Sequence, residues 1–227
     1  MKKIILLILF AASFITAQEF RVVKTSGTVK AQTDTKEEWS NIKTGDVLSS
    51  ETVVLTSKNS SVVINAPFGN FTLKESSALA LSRLKKMTLD ELLLALAMED
   101  VTNAKKNKNN GKSRSTAVYG TEIKNDDFLS QETNLGVKKL NGAVQLAEGG
   151  FIESAVIAAR ETFDKYPATK MFAQYRINFA SLLADLKLYD EAYKDFDDIT
   201  KLKLSDKEKL EVNTKLENLR KKISAKR

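Results

Sequence analysis

The sequence predicts an α+β protein with two domains: a small antiparallel β-rich domain, roll- or sandwich-like, and a set of repeated helical hairpins. Short β-branched and aromatic runs separated by turns fill residues 27–81. After Leu81 the apolar period becomes helical, and two later segments align with each other at a spacing of 37 residues. We place the β domain at residues 18–125, with a helix and a basic loop inserted at 82–115, and the helical repeats at 130–227.

The first 17 residues have the organisation of a secretory signal peptide. Lys2 and Lys3 form a basic segment, an apolar run from Ile4 to Ile15 follows, and Ala17 completes a small-residue cleavage site. The run is shorter than the about 20 apolar residues that a spanning helix needs. We therefore expect cleavage after Ala17, a periplasmic or secreted protein, and no transmembrane span in the mature chain. The alternative is an uncleaved membrane anchor.

The composition excludes several classes of function. The chain has no Cys and no His, and 36 Lys and Arg residues against 29 Asp and Glu give a formal net charge of +7. Without Cys and His it cannot form a disulfide, a Cys or Ser-His nucleophile, or a zinc site with nitrogen or sulfur ligands. We expect no enzyme activity, no catalytic or metal-binding residue and no cofactor. The alternative is an enzyme that acts through carboxylates alone, with two acids pointing into one cleft.

The predicted β domain consists of short strands joined by compact turns. Gly27–Ala31 gives the first strand, Glu38-Trp39 opens a second, and Lys43–Leu48 turns into a third. The later strands have the same β-branched and aromatic character. They are Thr52–Thr56, Ser61–Asn65, Phe71–Lys74 and Ala78–Leu81, with turns at Ser57–Ser60 and Pro67–Asn70.

The order of residues in this region resembles a FecR-type domain. The resemblance implies an extracytoplasmic β-rich module, known from iron-siderophore signalling between an outer-membrane transporter and a sigma-factor system. Signalling members carry an anti-sigma segment and a membrane-spanning helix before the module, and we expect neither before Phe20. The residues that carry the similarity are Gly27, Val29, Trp39, Gly45, Asp46, Leu48, Thr56, Ser60, Ile64, Gly69, Leu73, Ser77 and Leu79, together with the closing strand Thr116–Ile123.

A helix and a basic segment follow the predicted strands. Thr88 and Glu91 have the spacing of a capping box, and apolar residues recur at helical intervals from Leu89 to Val101. The Asn, Gly and Ser content of Lys105–Arg114 predicts a mobile loop, either a solvated connector or a contact with an anionic envelope polymer. Its lack of aromatic residues argues against nucleic acid. The five cations are Lys105, Lys106, Lys108, Lys112 and Arg114.

The two aligned helical segments resemble the middle of tetratricopeptide repeats. Ala155 and Ala192 fill the small position at which the helices of a pair approach each other, and Ile152 and Tyr189 stand three residues earlier. Pro167 ends the first unit where the repeat predicts its end. The resemblance implies that the first helices line a groove that binds a protein or peptide.

Three polar residues fall at groove-facing positions by this similarity, namely Asn141, Gln174 and Asn178. Their amides could hold a peptide backbone, or they could be ordinary surface amides. The densest acidic set of the helical region, Asp195 to Asp198, is interpreted as a solvated helix face. Ser205 and Glu208 have the spacing of a second capping box, which begins a polar-faced terminal helix.

These patterns together indicate an exported, non-catalytic binding or adaptor protein of the bacterial envelope. In this hypothesis a FecR-like module and a helical-repeat groove recognise a protein partner or the cell wall. The alternative is a component of transmembrane signalling of the iron-uptake type, and the third hypothesis is the carboxylate-dependent enzyme.

Overall fold

The computed structural model describes residues 19–33, 38–109 and 131–225, within which eight β-strands are followed by six α-helices. The strands are β1 (Phe20–Ser26), β2 (Val29–Thr33), β3 (Ser40–Asn41), β4 (Val47–Leu48), β5 (Thr52–Thr56), β6 (Ser61–Ala66), β7 (Gly69–Leu73) and β8 (Ala78–Ala80). The helices are α1 (Leu89–Asn109), α2 (Gln131–Glu148), α3 (Ile152–Lys165), α4 (Ala173–Asp185), α5 (Tyr189–Ile199) and α6 (Asp206–Ser224).

The strands form two antiparallel sheets of four strands, in the orders β4-β1-β6-β7 and β3-β2-β5-β8. Buried and more exposed residues alternate along β5 and β6, as the period of two in a half-buried strand requires. The buried residues of both sheets meet in one apolar core, which includes Phe20, Val54 and Ile64. The predicted α+β class is confirmed. The strand predicted to be first, Gly27–Ala31, is the second strand, because β1 precedes it.

Helix α1 begins at the predicted capping box. The Thr88 N–H donates to Glu91 Oε2 at 2.7 Å, and the Glu91 N–H donates to Thr88 Oγ1 at 3.2 Å. The Thr88 N–H and the Thr88 hydroxyl both donate to the Glu91 carboxylate, and these two hydrogen bonds hold the pKa of Glu91 below its usual value. The prediction that a loop begins at Lys105 is wrong for residues 105–109, which continue α1. The signal peptide, the remainder of the basic segment and the strand predicted at Thr116–Ile123 lie outside the described residues.

Helix α2 lies directly against β8, the edge strand of the second sheet. A Cβ built on Gly142 would lie 2.1 Å from the carbonyl oxygen of Ala78, so only glycine permits this approach. The Asn141 Nδ2 donates to the carbonyl oxygen of Ser76 at 2.8 Å. The Lys74 N–H donates to Gln145 Oε1 at 2.7 Å. Helix α2 is therefore fixed to the β sandwich by packing and by hydrogen bonds.

The helical region divides between two apolar cores. Residues of α2 and α3 such as Leu140 and Ala155 join the core of the β sandwich. A second core contains residues of α4, α5 and α6 with Leu92 and Leu96 of α1. Helix α3 contributes to both cores, because it also places Val156 in the second. Helix α3 therefore connects the core of the β sandwich to the second core of the helical region.

The two helical hairpins share one turn geometry at the predicted spacing of 37 residues. Gly150 after α2 and Lys187 after α4 both have positive φ, at 84° and 62°. The Phe151 N–H donates to the Leu146 carbonyl at 2.9 Å, and the Leu188 N–H donates to the Leu183 carbonyl at 2.9 Å. Both turns are therefore Schellman-type helix ends, in which a left-handed residue stops the helix.

Lys187→Gly is expected to raise the free energy of unfolding by about 0.5–1 kcal/mol. A lysine with positive φ is strained by its Cβ, and glycine removes that strain at the cost of a more flexible unfolded chain. Urea unfolding followed by circular dichroism measures the change. The matched control is Gly150→Lys, which should cost about 1–2 kcal/mol although no atom lies within 4 Å of the new Cβ. If both substitutions leave stability unchanged, the left-handed turn is not strained.

Candidate functional site

Asn141, the first of the three predicted groove residues, is held between α2, the β sandwich and α4. Its Nδ2 donates to the Ser76 carbonyl, and its Oδ1 accepts a hydrogen bond of 2.5 Å from the Tyr175 hydroxyl. Burial raises the pKa of Tyr175 and keeps this hydroxyl protonated as a donor. The Asn141 amide therefore links three parts of the fold.

Gln174 and Asn178 lie four residues apart on one face of α4. Gln174 is exposed and Asn178 is half-buried. They stand two residues before and two residues after Arg176, which places them on the opposite side of the helix from it. The Asn141 amide is engaged in hydrogen bonds within the fold, whereas Gln174 and Asn178 lie together on another helix. A role of the three amides in holding a ligand stays a prediction.

A charged cleft of about 290 Å³ opens on the Arg176 side of α4, between α1, α3, α4 and α5. Its apolar wall includes the Phe163 and Phe179 rings, which meet edge to face with centroids 6.3 Å apart. Four cations and four acids line the same cleft, so its formal charges balance. These charged residues are Glu99, Arg160, Asp164, Lys170, Arg176, Lys194, Asp195 and Asp198.

Arg160 on α3 joins α5 and α1 across the cleft. One of its terminal nitrogens lies 2.8 Å from Asp195 Oδ2, and the other lies 3.7 Å from Glu99 Oε1. Burial raises the pKa of the Asp195 carboxyl, and the positive charges of Arg160 and Arg176 oppose that rise. The bridge links three of the four helices that form the cleft, α1, α3 and α5.

Arg176 on α4 is the cation of the cleft with hydrogen-bonding capacity to spare. It is half-buried, and burial lowers its pKa against the opposing effect of the charges of Asp195 and Asp198. Its guanidinium makes no hydrogen bond within the described part of the chain. No side-chain nitrogen or oxygen there is both buried and unpaired, so its N–H groups reach the open cleft. A guanidinium placed this way can donate several hydrogen bonds to a carboxylate or to peptide carbonyls.

The acidic residues of α5 are only partly a solvated face. Asp197 is exposed, as expected, whereas Asp195 lies in the cleft and pairs with Arg160. Asp198 accepts a hydrogen bond of 2.6 Å from Lys201, which holds the pKa of Asp198 below its usual value. Two acids of α5 therefore line the cleft, and each lies beside a cation. Among the described residues no group of three acids is placed to hold a metal ion.

Sequence reasoning missed Arg160 and Arg176. The available signal was a single arginine beside a mainly apolar helical run. The run Ala155–Ala159 precedes Arg160. The run Ile177–Leu183, which contains one asparagine and one serine, follows Arg176. A cation at such a position needs an acid on a neighbouring helix or an open cavity. The resemblance to helical repeats predicted which faces of the helices are buried, but it did not predict that Arg160 pairs with Asp195.

Comparison with known proteins adds no further assignment. No protein-family profile, curated protein or solved structure matches this chain. In the described residues, no helix has the length and apolar character to cross a membrane.

Proposed function

We propose that this protein is an exported, non-catalytic binding protein of the bacterial envelope that captures a polypeptide segment in the cleft between α1, α3, α4 and α5. The observation that supports the proposal most is the unused guanidinium of Arg176 beside an apolar wall. An extended peptide presents carbonyl oxygens for such a donor and side chains for such a wall. Export follows from the signal-like residues 1–17.

The size and charge of the cleft favour a peptide segment over a folded partner. Its volume of about 290 Å³ lies near the lower end of the roughly 300–1,000 Å³ typical of ligand pockets. It therefore admits one or two side chains at a time. Acids and cations line the cleft in equal numbers, so a segment that carries both charges would find partners for each.

We further propose that the β sandwich is a FecR-like module, in which two turns are held by side-chain hydrogen bonds. The Thr28 N–H donates to Ser60 Oγ at 2.9 Å, and the Ser77 N–H donates to Thr56 Oγ1 at 3.1 Å. Three of these four residues carry the sequence resemblance. In an adaptor of this kind the sandwich would hold the helical array through α2 and offer a second surface for recognition.

Arg176→Gln is expected to weaken binding of a cleft-directed peptide by about tenfold or more, because an arginine anchor at a binding surface typically contributes more than 1.4 kcal/mol. Peptides selected from a random displayed library against the chain that begins at Gln18 serve as probes, with affinity measured by fluorescence anisotropy. Arg21→Gln on the exposed face of β1 is the matched control and should bind normally.

A second variant separates the cleft from the groove expected from the repeat resemblance. Gln174→Ala with Asn178→Ala changes the opposite side of α4 and should leave peptide affinity nearly unchanged. If this pair abolishes binding while Arg176→Gln does not, the peptide lies on the predicted amide face and the cleft is not the site.

A further inference from the structure

A second hollow lies beside the charged cleft, between α1 and α3. Its volume is about 230 Å³, and its open surface is mainly apolar. Its uncharged lining residues are Ala95, Met98 and Thr102 of α1 and Ile157 of α3. Met98 is 63% exposed and Ile157 is 7% exposed, so Ile157 lies deeper in the hollow than Met98. The hollow therefore has room for one large apolar side chain.

The hollow is continuous with the charged cleft. Both cavities are lined by Glu99, Arg160 and Asp164. Arg160 and Asp164 are one turn apart on α3, so they form a single row along the helix. Phe163, in the cleft, and Ile157, in the hollow, lie about 60° to either side of Arg160 around the helix. A peptide in the cleft can therefore reach the hollow by crossing this row.

The acids around the hollow already have cationic partners. The pairs are Glu99 with Arg160, Glu161 with Arg83, and Asp164 with Lys170. An apolar side chain that enters the hollow leaves each of these acids beside its cation. A charged side chain would lose water there and would compete with a pair that is already formed. The hollow therefore favours an apolar side chain over a charged one.

We propose that the hollow is a second subsite for the peptide of the cleft, and that it takes a large apolar side chain such as leucine, methionine or phenylalanine. This inference rests on the proposed peptide binding and adds a requirement on the peptide sequence. On one side of the row, Arg176 holds oxygen atoms of the peptide. On the other side, Met98 covers the apolar side chain, and its unbranched, flexible chain adapts to several shapes. The partner is therefore a peptide that joins a polar segment to a large apolar residue.

Fluorescence anisotropy tests the inference with peptides selected from the displayed library against the chain that begins at Gln18. Each large apolar residue of a selected peptide is replaced in turn by alanine. We expect one replacement to weaken binding about fivefold or more, and Met98→Gln to weaken binding of the parent peptide by a similar factor. Met98→Gln should have little further effect on the peptide that lacks this apolar residue, because both changes remove the same contact.

Leu94→Gln is the matched control, because Leu94 and Met98 are both 63% exposed on α1 and Leu94 does not line the hollow. It should bind the parent peptide normally. Neither side chain belongs to either core, so thermal melting should be the same for both variants. A second variant, Thr102→Phe, adds a ring at the wall of the hollow. It should weaken binding of the parent peptide but not of the peptide that lacks the apolar residue.

Equal effects of Met98→Gln and Leu94→Gln, or an effect of Met98→Gln that persists in the peptide without the apolar residue, would overturn the inference. Selected peptides that contain no large apolar residue would overturn it as well. If Arg176→Gln still weakens binding in these cases, the proposed peptide binding stands without the second subsite. If Arg176→Gln has no effect, the proposed function fails and the subsite fails with it. A dimer in sedimentation that Met98→Gln converts to monomer, with peptide affinity unchanged, would identify the hollow as an interface between copies of this chain.

Discussion

Gly142→Leu is expected to lower the free energy of unfolding by about 3 kcal/mol or more, because overpacking at a rigid contact displaces backbone. The new Cβ would lie 2.1 Å from the Ala78 carbonyl oxygen, and this neighbour is main chain. Helix α2 would have to move away from β8. That movement would break the hydrogen bonds that Asn141 and Gln145 make with the turn before β8.

Two spectroscopic probes report the lower stability of Gly142→Leu in different parts of the protein. Trp39, the single tryptophan, lies beside β3, whereas far-ultraviolet circular dichroism reports chiefly on the helices. Because α2 and α3 share a core with the sandwich, both signals should unfold at one urea concentration in the native protein. Both should shift together in Gly142→Leu.

The matched control is Asn134→Leu, at an exposed position of the same helix, where little change in stability is expected. A different outcome would contradict the expected coupling between the sandwich and the helices. If Gly142→Leu shifts the helical signal and leaves the Trp39 transition in place, the sandwich and the helices unfold independently, and the contact between α2 and β8 contributes little.

Phe196→Ala is expected to cost about 3–5 kcal/mol, since truncation of a fully buried phenylalanine removes its packing and leaves a cavity. Its effect should extend to the cleft. Phe196 follows Asp195 directly on α5, so a loosened α5 would move the carboxylate that Arg160 holds at 2.8 Å. Urea unfolding gives the stability change, and the peptide assay should show weaker binding.

Phe68→Ala is the control for a phenylalanine that is 39% exposed and whose ring centroid lies 5.4 Å from that of Phe151. Removal of its ring should cost about 1 kcal/mol. Equal costs at positions 68 and 196 would mean that α5 relaxes to fill the space, and that the second core is less tightly packed than its burial indicates.

The features that the sequence predicted best are those set by nearby residues. Both capping boxes form as expected, at Thr88 with Glu91 and at Ser205 with Glu208. The turn between the two helices of each hairpin also follows from local spacing, although Lys187 occupies a position that favours glycine. Short-range geometry decides these features, so one segment of sequence is enough to identify them.

The features that sequence reasoning missed depend on irregular pairing or on distant residues. Strand β1 was overlooked because its pairing with β6 shifts register between Val22 and Lys24, and the alternation of buried and exposed residues stops at Lys24. The length of α1 was underestimated because lysine favours helices more than the neighbouring asparagines disfavour them. The cleft was missed because its charged residues come from four helices.

The position of α2 also bears on how this protein avoids forming aggregates. Strand β8 lies at the edge of its sheet. An uncovered edge strand leaves backbone N–H and C=O groups free to pair with a strand of another chain. Gly142 brings α2 so close to Ala78 that the helix occupies the place of an incoming strand. A shortened chain that ends before α2 would expose that backbone, and the sandwich produced alone should polymerise through its own edge.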